Sequence, residues 1–426
     1  MEHIEAHTMR LLGTVPAETM KSSAVHFQAG DVLYGRLRPY LNKVFRPHFE
    51  GLCSAEFIVL PENDRIEGAY LQYLLNSAAF VRYASRLNTG DRPRVDFDQL
   101  AAYTIGLPSR DEQQRIVAEI EKQFSRLDEA VANLKRVKAN LKRYNASVLK
   151  AAVEGRLVPT EAELARKEGR TYETGEQLLA RILKERRAAW EKQNIGGRNR
   201  KYYEPQPPDA SNLPELPEGW AWATTEQISG FITKGTTPTA SKLTNESGEV
   251  RFLKVYNLTY DGNLQYDYKP TFISRKTHEG ELSRSIVRSG DVLINIVGPP
   301  LGQVSIVPEA LQEANINQAI ARFRPISPIK SRYLALVLLT KPIIDWAIRR
   351  AKTTAGQANL TLEICRNIPI PIPPTPEQNR IVAATEHSLS IAADVEAQVN
   401  ANHHRAHGLR QAILGTVFRL EDSTQD

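Results

Sequence analysis

The most constraining feature of this 426-residue chain is a long internal repeat. Gly-Asp-Val-Leu occurs at residues 30–33 and again at 290–293, and Glu-Gln-x-Arg-Ile-Val occurs at 112–117 and again at 377–382. The two motifs keep their order and nearly keep their separation, which indicates a tandem duplication of a whole domain. The chain should therefore fold into two similar units, and such units usually present two equivalent surfaces to a partner.

Each copy of the repeat ends in a proline-containing segment followed by a long helix. Ile-Gly-Leu-Pro at 105–108 corresponds to Ile-Pro-Ile-Pro at 370–373. The residues before the proline are expected to form a strand that the proline ends.

Apolar residues in both helices fall seven apart in the a/d pattern that is typical of a coiled coil. The first helix is predicted over residues 111–153, with Ser109 or Asp111 as N-cap, and the second runs towards Phe418 with a weaker seam. The alternative is that each helix only covers its own domain. Against it, a helix of this length reaches ~60 Å, which is longer than a small domain is wide. The residues expected in an antiparallel helix interface are Val117, Ile120, Phe124, Leu127, Val131, Leu134, Leu141 and Val148 on the first helix and Val382, Leu389, Val399 and Ile413 on the second.

Composition places the chain among ordinary globular proteins, with 41% hydrophobic and 24% charged residues. The net charge of +6 and a pI near 9.1 favour an anionic partner. Cys53 and Cys365 are expected to be buried, reduced thiols. With no basic leader and no apolar run long enough to cross a bilayer, a cytoplasmic location without a membrane partner is expected.

The segment between the two copies is charged and proline-rich. Residues 160–193 carry many charges and include a predicted helix at 175–193, and a basic-aromatic run at 196–203 precedes the proline cluster at 205–208. We expect a tether rather than part of a core. The basic-aromatic run could contact nucleic acid, although a solvated linker is the commoner explanation.

No complete catalytic or metal-binding pattern is recognised. The glycine spacing of residues 230–237 approaches that of a phosphate-binding loop, but Thr236 stands where the lysine is needed, so a turn is expected. His403, His404 and His407 have a spacing that would suit a metal, but they lie on a charged helix and are expected to be solvated. The sequence therefore favours recognition over catalysis.

The globular parts alternate short β-rich runs with helical patterns, which predicts an α+β fold with two mixed domains in tandem. The predicted strands are 32–34, 56–60, 251–255, 292–297 and 320–323, and the predicted helices are 70–85 and 331–351.

Several motifs occur in a specific order. Leu-Pro-Glu-Gly-Trp opens the second copy at 216–220, Gly-Thr-Thr-Pro follows at 235–238, and Gly-Asp-Val-Leu lies in mid-domain. Ile-Pro-Ile-Pro-Pro-x-Pro-Glu-Gln-x-Arg-Ile at 370–381 precedes the long helix, and Arg-Leu-Arg-Pro-Tyr-Leu at 36–41 follows the first Gly-Asp-Val-Leu. In this order the motifs resemble the specificity subunit of type I restriction-modification systems, the HsdS family.

The resemblance implies a non-catalytic DNA reader with two target recognition domains, each reading one half of a split, asymmetric site. It also implies two adenine methyltransferase subunits and, for restriction, two ATP-driven translocase-nuclease subunits as partners. S-adenosylmethionine, ATP and Mg²⁺ would bind to those partners, and no cofactor or metal is expected on this chain. Two alternatives remain: a coiled-coil scaffold that binds only protein, and a nuclease or methyltransferase with unrecognised catalytic residues.

The expected boundaries are a first recognition domain at 1–107, a central helix at 108–157, a linker at 158–215, a second recognition domain at 216–372 and a distal helix at 373–426. Affinity for double-stranded DNA should come from Lys and Arg on phosphates, and specificity from side chains in the grooves. The candidate contacts are Arg36, Arg38, Lys43, Arg92, Arg94, Lys234, Thr236, Thr237, Lys242, Lys254, Gln357 and Asn359.

The first copy departs from the second at its beginning. Aligning residues 2–4 with 256–258 leaves the first domain without a counterpart of 217–254. A sheet that lacks such strands exposes unpaired edges. We expect either a truncated or misassigned start, or binding of only the half-site read by residues 216–372.

Overall fold

The computed structural model describes residues 2–19, 23–87, 90–193, 201–354 and 357–418. It divides the chain into two compact units: unit 1, Met1–Ala139 with Glu396–Asp426, and unit 2, Asn140–Val395. Each unit contains a domain of strands and short helices together with part of each long helix. The predicted α+β class is confirmed.

Unit 1 is built on a small antiparallel sheet and a separate strand pair. Its strands are β1 (Ala24–Phe27), β2 (Val32–Gly35), β3 (Val44–Phe45), β4 (Gly51–Ser54) and β5 (Phe57–Leu60), and its helices are α1 (Gly68–Leu75), α2 (Ala78–Arg86), α3 (Phe97–Ala101) and the first part of α4 (Arg110–Val153). The sheet has the order β3-β2-β5, and β1 pairs with β4. The Ser109 hydroxyl accepts a hydrogen bond from the Glu112 amide at 3.4 Å, so Ser109 caps α4.

Unit 2 repeats this arrangement with additional strands. Its elements are the rest of α4, α5 (Glu161–Glu168), α6 (Gly175–Gln193), β6 (Ala221–Thr224), α7 (Thr225–Ile228), β7 (Ser229–Lys234), β8 (Val250–Leu253), β9 (Phe272–Ile273), α8 (Arg275–Glu279), β10 (Ile286–Arg288), β11 (Val292–Asn295), β12 (Val297–Gly298), β13 (Val304–Ile306), β14 (Glu313–Ile316), β15 (Ile320–Pro325), α9 (Ser331–Leu338), α10 (Lys341–Arg350), β16 (Lys352–Thr354), β17 (Gln357–Asn359), α11 (Leu362–Arg366), β18 (Pro369–Ile372) and the first part of α12 (Thr375–Val417). The sheet orders are β13-β11-β15-β7, β10-β14-β8-β9, β12-β17-β16 and β18-β6.

The turn before β2 and the turn before β11 have the same hydrogen bonds. Gly30 and Gly290 both adopt positive φ, at 97° and 84°, which glycine tolerates without strain. Asp31 Oδ2 accepts from the Gln28 amide at 2.8 Å, and Asp291 Oδ2 accepts from the Arg288 amide at 2.8 Å. The repeated Gly-Asp therefore fixes the entry to the central strand of each sheet.

The helix starts are also repeated, with one difference. Gln113 Nε2 donates to the Pro108 carbonyl at 2.9 Å, and Gln378 Nε2 donates to the Pro373 carbonyl at 3.0 Å. The neighbouring Glu377 is fully buried, where its carboxylate accepts from the indole of Trp220 at 3.0 Å and from the backbone amide of Glu161 at 2.8 Å. Burial raises the pKa of the Glu377 carboxyl.

Helix α6, in the segment expected to be a tether, contributes to the core of unit 2, so for residues 175–193 that expectation was wrong. Helix α6 has the predicted bounds, but its Leu178 and Ile182 are fully buried in the cluster that contains Ala223, Ile370 and Ile372. An amphipathic stripe is not evidence for a solvated linker when a sheet elsewhere in the sequence covers it. The start of the basic-aromatic run, residues 196–200, lies outside the described residues.

Other predicted elements need correction. The single helices predicted at 70–85 and 331–351 are each two helices, because Ser77 caps α2 through the Phe80 amide at 3.3 Å and Thr340 is the N-cap residue of α10. Most of the expected turn at 230–237 is strand β7. The residues directly before Pro108, 103–107, form no strand, whereas β18 leads directly into Pro373. Both cysteines are buried, and burial raises the pKa of the Cys365 thiol to about 12.

Candidate nucleic-acid interface

In unit 2, several strands end at the same edge of the structure. Strands β8 and β14 run parallel, with Leu253 opposite Ile316, so the residues that follow them are neighbours. The Asn317 amide donates to the Leu253 carbonyl at 3.0 Å, and the Thr236 amide donates to the Ile316 carbonyl at 3.2 Å. This arrangement collects Lys234, Thr236, Thr237, Lys254, Asn317 and Gln318, which we call the sheet-end surface of unit 2.

The side chains of this surface are polar and accessible. Lys234, Thr236, Thr237 and Gln318 are exposed, and the Thr237 hydroxyl donates to the Gln318 side-chain carbonyl. Gly235 allows the close approach of the loop, because an added Cβ would lie 2.0 Å from the Ile316 carbonyl oxygen. The loop is therefore held against the turn at 317–319.

An aromatic pair adjoins Lys254. Its ammonium lies 5.9 Å from the centre of the Tyr256 ring, and the Tyr256 and Tyr268 rings meet edge to face at 6.0 Å. Buried Asn257 fixes this loop by donating to the carbonyls of Gln265 and Tyr268, both at 2.9 Å. Both tyrosines are exposed. Sequence analysis missed them, although a lysine stands close to each in the sequence.

The remaining unit 2 candidates are placed differently. Half-buried Asn359 lies in β17 opposite Val297, and the neighbouring Ile296 amide donates to the Ala319 carbonyl at 2.8 Å, so this small sheet adjoins the 317–319 turn. The side chain of Gln357 lies outside the described residues, although its backbone is part of β17. Lys242 forms an ion pair with Glu281, which neutralises its charge locally.

In unit 1, the basic candidates gather where β2 ends. The Arg36 amide donates to the Glu56 carbonyl at 2.9 Å, and its Nε donates to the Val95 carbonyl at 3.3 Å. The Arg38 amide donates to the Pro93 carbonyl at 2.8 Å, and the Gly35 amide donates to the Lys43 carbonyl at 2.8 Å. The sheet-end surface of unit 1 therefore consists of Arg36, Arg38, Lys43, Arg92 and Arg94.

These arginines differ in whether their side chains form an ion pair within the unit. Arg38 and Arg92 are exposed, whereas Arg94 pairs with Glu56. Arg38 has a φ of 52°, a conformation uncommon for residues other than glycine. Strand β2 is equivalent to β11, so Arg36 occupies the position of Ile296. Each unit thus carries its polar cluster at the end of the sheet opposite to the Gly-Asp turn.

Of the helix residues predicted in the seam, Ile120, Phe124, Leu127 and Ile413 lie in one cluster where α4 meets α12, whereas Val117 packs with Ala69 and Tyr70 and Val382 packs against the core of unit 2. In unit 1, Ile120 and Phe124 cluster with Leu414, Asp128 pairs with Arg410, and Lys138 pairs with Glu396 at 3.5 Å. The partner number falls as the α4 number rises, which is an antiparallel arrangement. By side-chain burial, the predicted residues divide into a buried set, Val117, Ile120, Phe124, Val148 and Val399, and a half-buried set, Leu127, Val131, Leu134, Leu141, Val382, Leu389 and Ile413.

Within the described ranges, no group of three or more His, Cys, Asp or Glu residues could hold a metal ion. The side chain of His407 falls outside those ranges. No helix in the described part of the chain is long and apolar enough to cross a membrane.

Comparison with known proteins places the fold in one family. Residues 217–400 match the family described as type I restriction modification DNA specificity domain. The type I restriction enzyme EcoBI specificity subunit of Escherichia coli is 34% identical over 146 residues, which are 34% of this chain and 30% of that relative. The EcoEI specificity subunit of Escherichia coli is 22% identical over 459 aligned residues, covering 93% of this chain and 74% of the relative.

A solved structure shares the fold of the whole chain. It is described as "Structural basis underlying complex assembly and conformational transition of the type I R-M system", and it matches with a TM-score of 0.65 at 21% identity over 98% of this chain and 89% of that chain. Residues 217–400 match the specificity domain, and unit 1 repeats part of its architecture. The chain therefore carries a type I restriction modification DNA specificity domain at residues 217–400 and is similar to type I specificity subunits over most of its length.

Proposed function

We propose that this chain reads DNA sequence for a type I restriction-modification complex and performs no catalysis itself. The observation that carries the proposal is the equivalence of the two sheet-end surfaces: in each unit, basic and polar side chains gather at the same end of the equivalent sheet. Two similar domains with different side chains suit a DNA target whose two half-sites differ in sequence.

The chemistry of the sheet-end surface of unit 2 fits both parts of DNA recognition. The ammonium groups of Lys234 and Lys254 would neutralise phosphates and supply salt-dependent affinity. The amides of Asn317 and Gln318 would read base edges, because an amide can bond adenine through both N6 and N7. In unit 1, the guanidinium groups of Arg38 and Arg92 would bind phosphate oxygens or the O6 and N7 atoms of guanine.

The partners proposed for this chain are double-stranded DNA, two methyltransferase subunits and, for restriction, two translocase-nuclease subunits. S-adenosylmethionine, ATP and Mg²⁺ would be bound by those partners. Support comes from the names of the relatives, which are specificity subunits of type I restriction enzymes, and from the neighbouring structure of type I complex assembly.

Reconstitution tests the absence of catalysis. Purified chain incubated with DNA, S-adenosylmethionine, ATP and Mg²⁺ should show no turnover. Methyl transfer to adenine should begin when the methyltransferase subunit is added. Turnover by the chain alone would overturn the proposal, and a failure to bind DNA in any combination would favour the protein-binding scaffold.

Salt titration tests the DNA-contacting surface. Lys234→Ala with Lys254→Ala should weaken DNA binding and reduce the slope of log K against log salt by about two, one for each phosphate that is no longer neutralised. Lys330→Ala is the matched control, because Lys330 is exposed and precedes Ser331, which donates to the Gly290 carbonyl at the opposite end of the sheet. Equal slopes for both variants would contradict the assignment.

A further inference from the structure

A loop of unit 2 carries two exposed tyrosines beside the sheet-end surface. The loop comprises residues 254–271, between β8 and β9, and it begins with Lys254 of that surface. Tyr256 is 37% exposed and Tyr268 is 49% exposed, and their rings meet edge to face at 6.0 Å. Aromatic side chains that are paired and accessible next to a polar surface are typical of binding interfaces.

The loop orders the tyrosines before any ligand binds. The Tyr268 amide donates to the Gln265 carbonyl at 3.1 Å, and the Tyr268 carbonyl accepts from the Asn257 side chain at 2.9 Å. The Tyr256 hydroxyl donates to the Lys269 carbonyl at 3.0 Å, whereas the Tyr268 hydroxyl has no hydrogen-bond partner among the described residues. Tyr268 is therefore the ring that its backbone holds in place and that remains free to contact a ligand. A side chain ordered in advance loses little entropy on binding.

Each of the two rings has a lysine against it. The Lys254 ammonium lies 5.9 Å from the centre of the Tyr256 ring, and the Lys269 ammonium lies 5.3 Å from the centre of the Tyr268 ring. Neither lysine forms an ion pair within the described part of unit 2. A flat aromatic ring next to a cation that is not neutralised suits a nucleotide, whose base stacks on the ring and whose phosphate meets the cation.

Base faces are hidden inside an intact duplex, whereas base edges are accessible in its grooves. The Asn317 amide can therefore read an intact duplex, but a tyrosine can stack on a base only where a base step is opened. We propose that Tyr268 enters one base step of the DNA bound to unit 2, stacks on the exposed base and bends the duplex there. Tyr256 supports the ring from its edge, and Lys254 and Lys269 neutralise the flanking phosphates. The inference rests on the proposed reading of DNA and adds a deformation of the duplex to it.

The inserted ring gives unit 2 a source of specificity that needs no contact with a base edge. Pyrimidine–purine steps are easily unstacked, so the DNA sequence at the step determines the cost of opening it. The half-site that the chain enriches should therefore contain such a step. Tyr268→Ala should relax the preference at that step and leave the bases read by the amides unchanged.

Electrophoresis of circularly permuted duplexes tests the insertion, because a bent duplex migrates more slowly when the bend lies at its centre. The full chain is bound to the half-site that it enriches from a random DNA library. The wild-type chain should bend the duplex by at least about 20°. Tyr268→Ala should abolish the bend and weaken binding about tenfold, because a stacked base is lost. Tyr268→Phe should restore both, because it keeps the ring.

Tyr260→Ala is the matched control. Tyr260 is 55% exposed on the same loop. The neighbouring Asp261 carbonyl accepts from Arg332, close to the Gly290 turn at the opposite end of the sheet. This variant should keep the wild-type bend.

The outcomes separate the insertion from DNA reading. A straight duplex in the wild-type complex, or an equal bend with Tyr268→Ala, overturns the inference while the half-site is still read. Failure to enrich any half-site overturns the proposed function itself, and the inference with it.

Discussion

Units 1 and 2 carry the same sequence signals but bury them to different extents. Ile370 and Ile372 are inaccessible to solvent because β6 pairs with β18, whereas Leu107 remains accessible where no such strand is described. Glu377 is buried beneath Trp220, whereas the equivalent Glu112 is half-buried and pairs with Arg115. A motif therefore specifies the turn or cap that it can form locally. Its contribution to the free energy of unfolding depends on the strands that pack over it.

The largest contrast is expected at the strand before each long helix. Ile372→Ala should lower the free energy of unfolding of unit 2 by about 2–5 kcal/mol, because it leaves a cavity in a closed core. Leu107→Ala should cost under about 1 kcal/mol, because the exposed side chain loses little buried area. All four tryptophans lie in unit 2, so urea unfolding followed by tryptophan fluorescence reports unit 2, and hydrogen exchange reports unit 1. Equal costs at the two positions would remove the contrast.

A smaller contrast is expected at the two glutamates. Glu377→Ala leaves the Trp220 indole and the Glu161 amide without an acceptor in a buried site, which should cost about 2–3 kcal/mol. Glu112→Ala should change stability by under about 0.5 kcal/mol, because its ion pair is exposed. Tryptophan fluorescence in urea measures the unfolding of unit 2 for Glu377→Ala, and hydrogen exchange measures that of unit 1 for Glu112→Ala. A cost for Glu112→Ala as large as that for Glu377→Ala would disprove the assigned role of burial.

The smallest effect is expected in the helix seam. In unit 1, the polar residue Lys138 of α4 contacts Glu396 and Asn400 of α12 and remains partly exposed. In unit 2, the α12 residues Thr385 and Ala392 are buried. Lys138→Glu should cost under about 1 kcal/mol, because the pair is partly exposed. The double variant Lys138→Glu with Glu396→Lys should recover most of this stability, measured by hydrogen exchange of unit 1. No recovery would mean that the pair does not help to fix the helix register.

Local signals allowed much of the fold to be predicted. The heptads and flanking turns gave the bounds of α4 to within one residue, and the stripe of α6 gave both of its ends. The burial of α6 could not be predicted, because the residues that cover it, such as Ala223 and Ile370, come from distant parts of the chain. The breaks within the two predicted helices depended on Ser77 and Thr340, whose polar side chains are also compatible with a helix interior.

The candidate interface was only partly visible in the sequence. Lys234, Thr236 and Lys254 were identified by residue type, but Asn317 and Gln318 were missed. Their place beside Lys254 follows from the parallel pairing of β8 with β14, a contact between segments about 60 residues apart. Lys242 was selected by charge, and its pairing with Glu281 depends equally on the tertiary fold.

Selection of bound duplexes from a random DNA library tests the central claim most directly. The wild-type chain should enrich a defined half-site. The variant Asn317→Ala with Gln318→Ala should lose specified bases from it while keeping the wild-type salt slope, because base readers and phosphate contacts are separate groups. An enriched pool without a consensus, or a consensus unchanged by the two substitutions, would contradict the assignment of DNA reading to the sheet-end surface of unit 2.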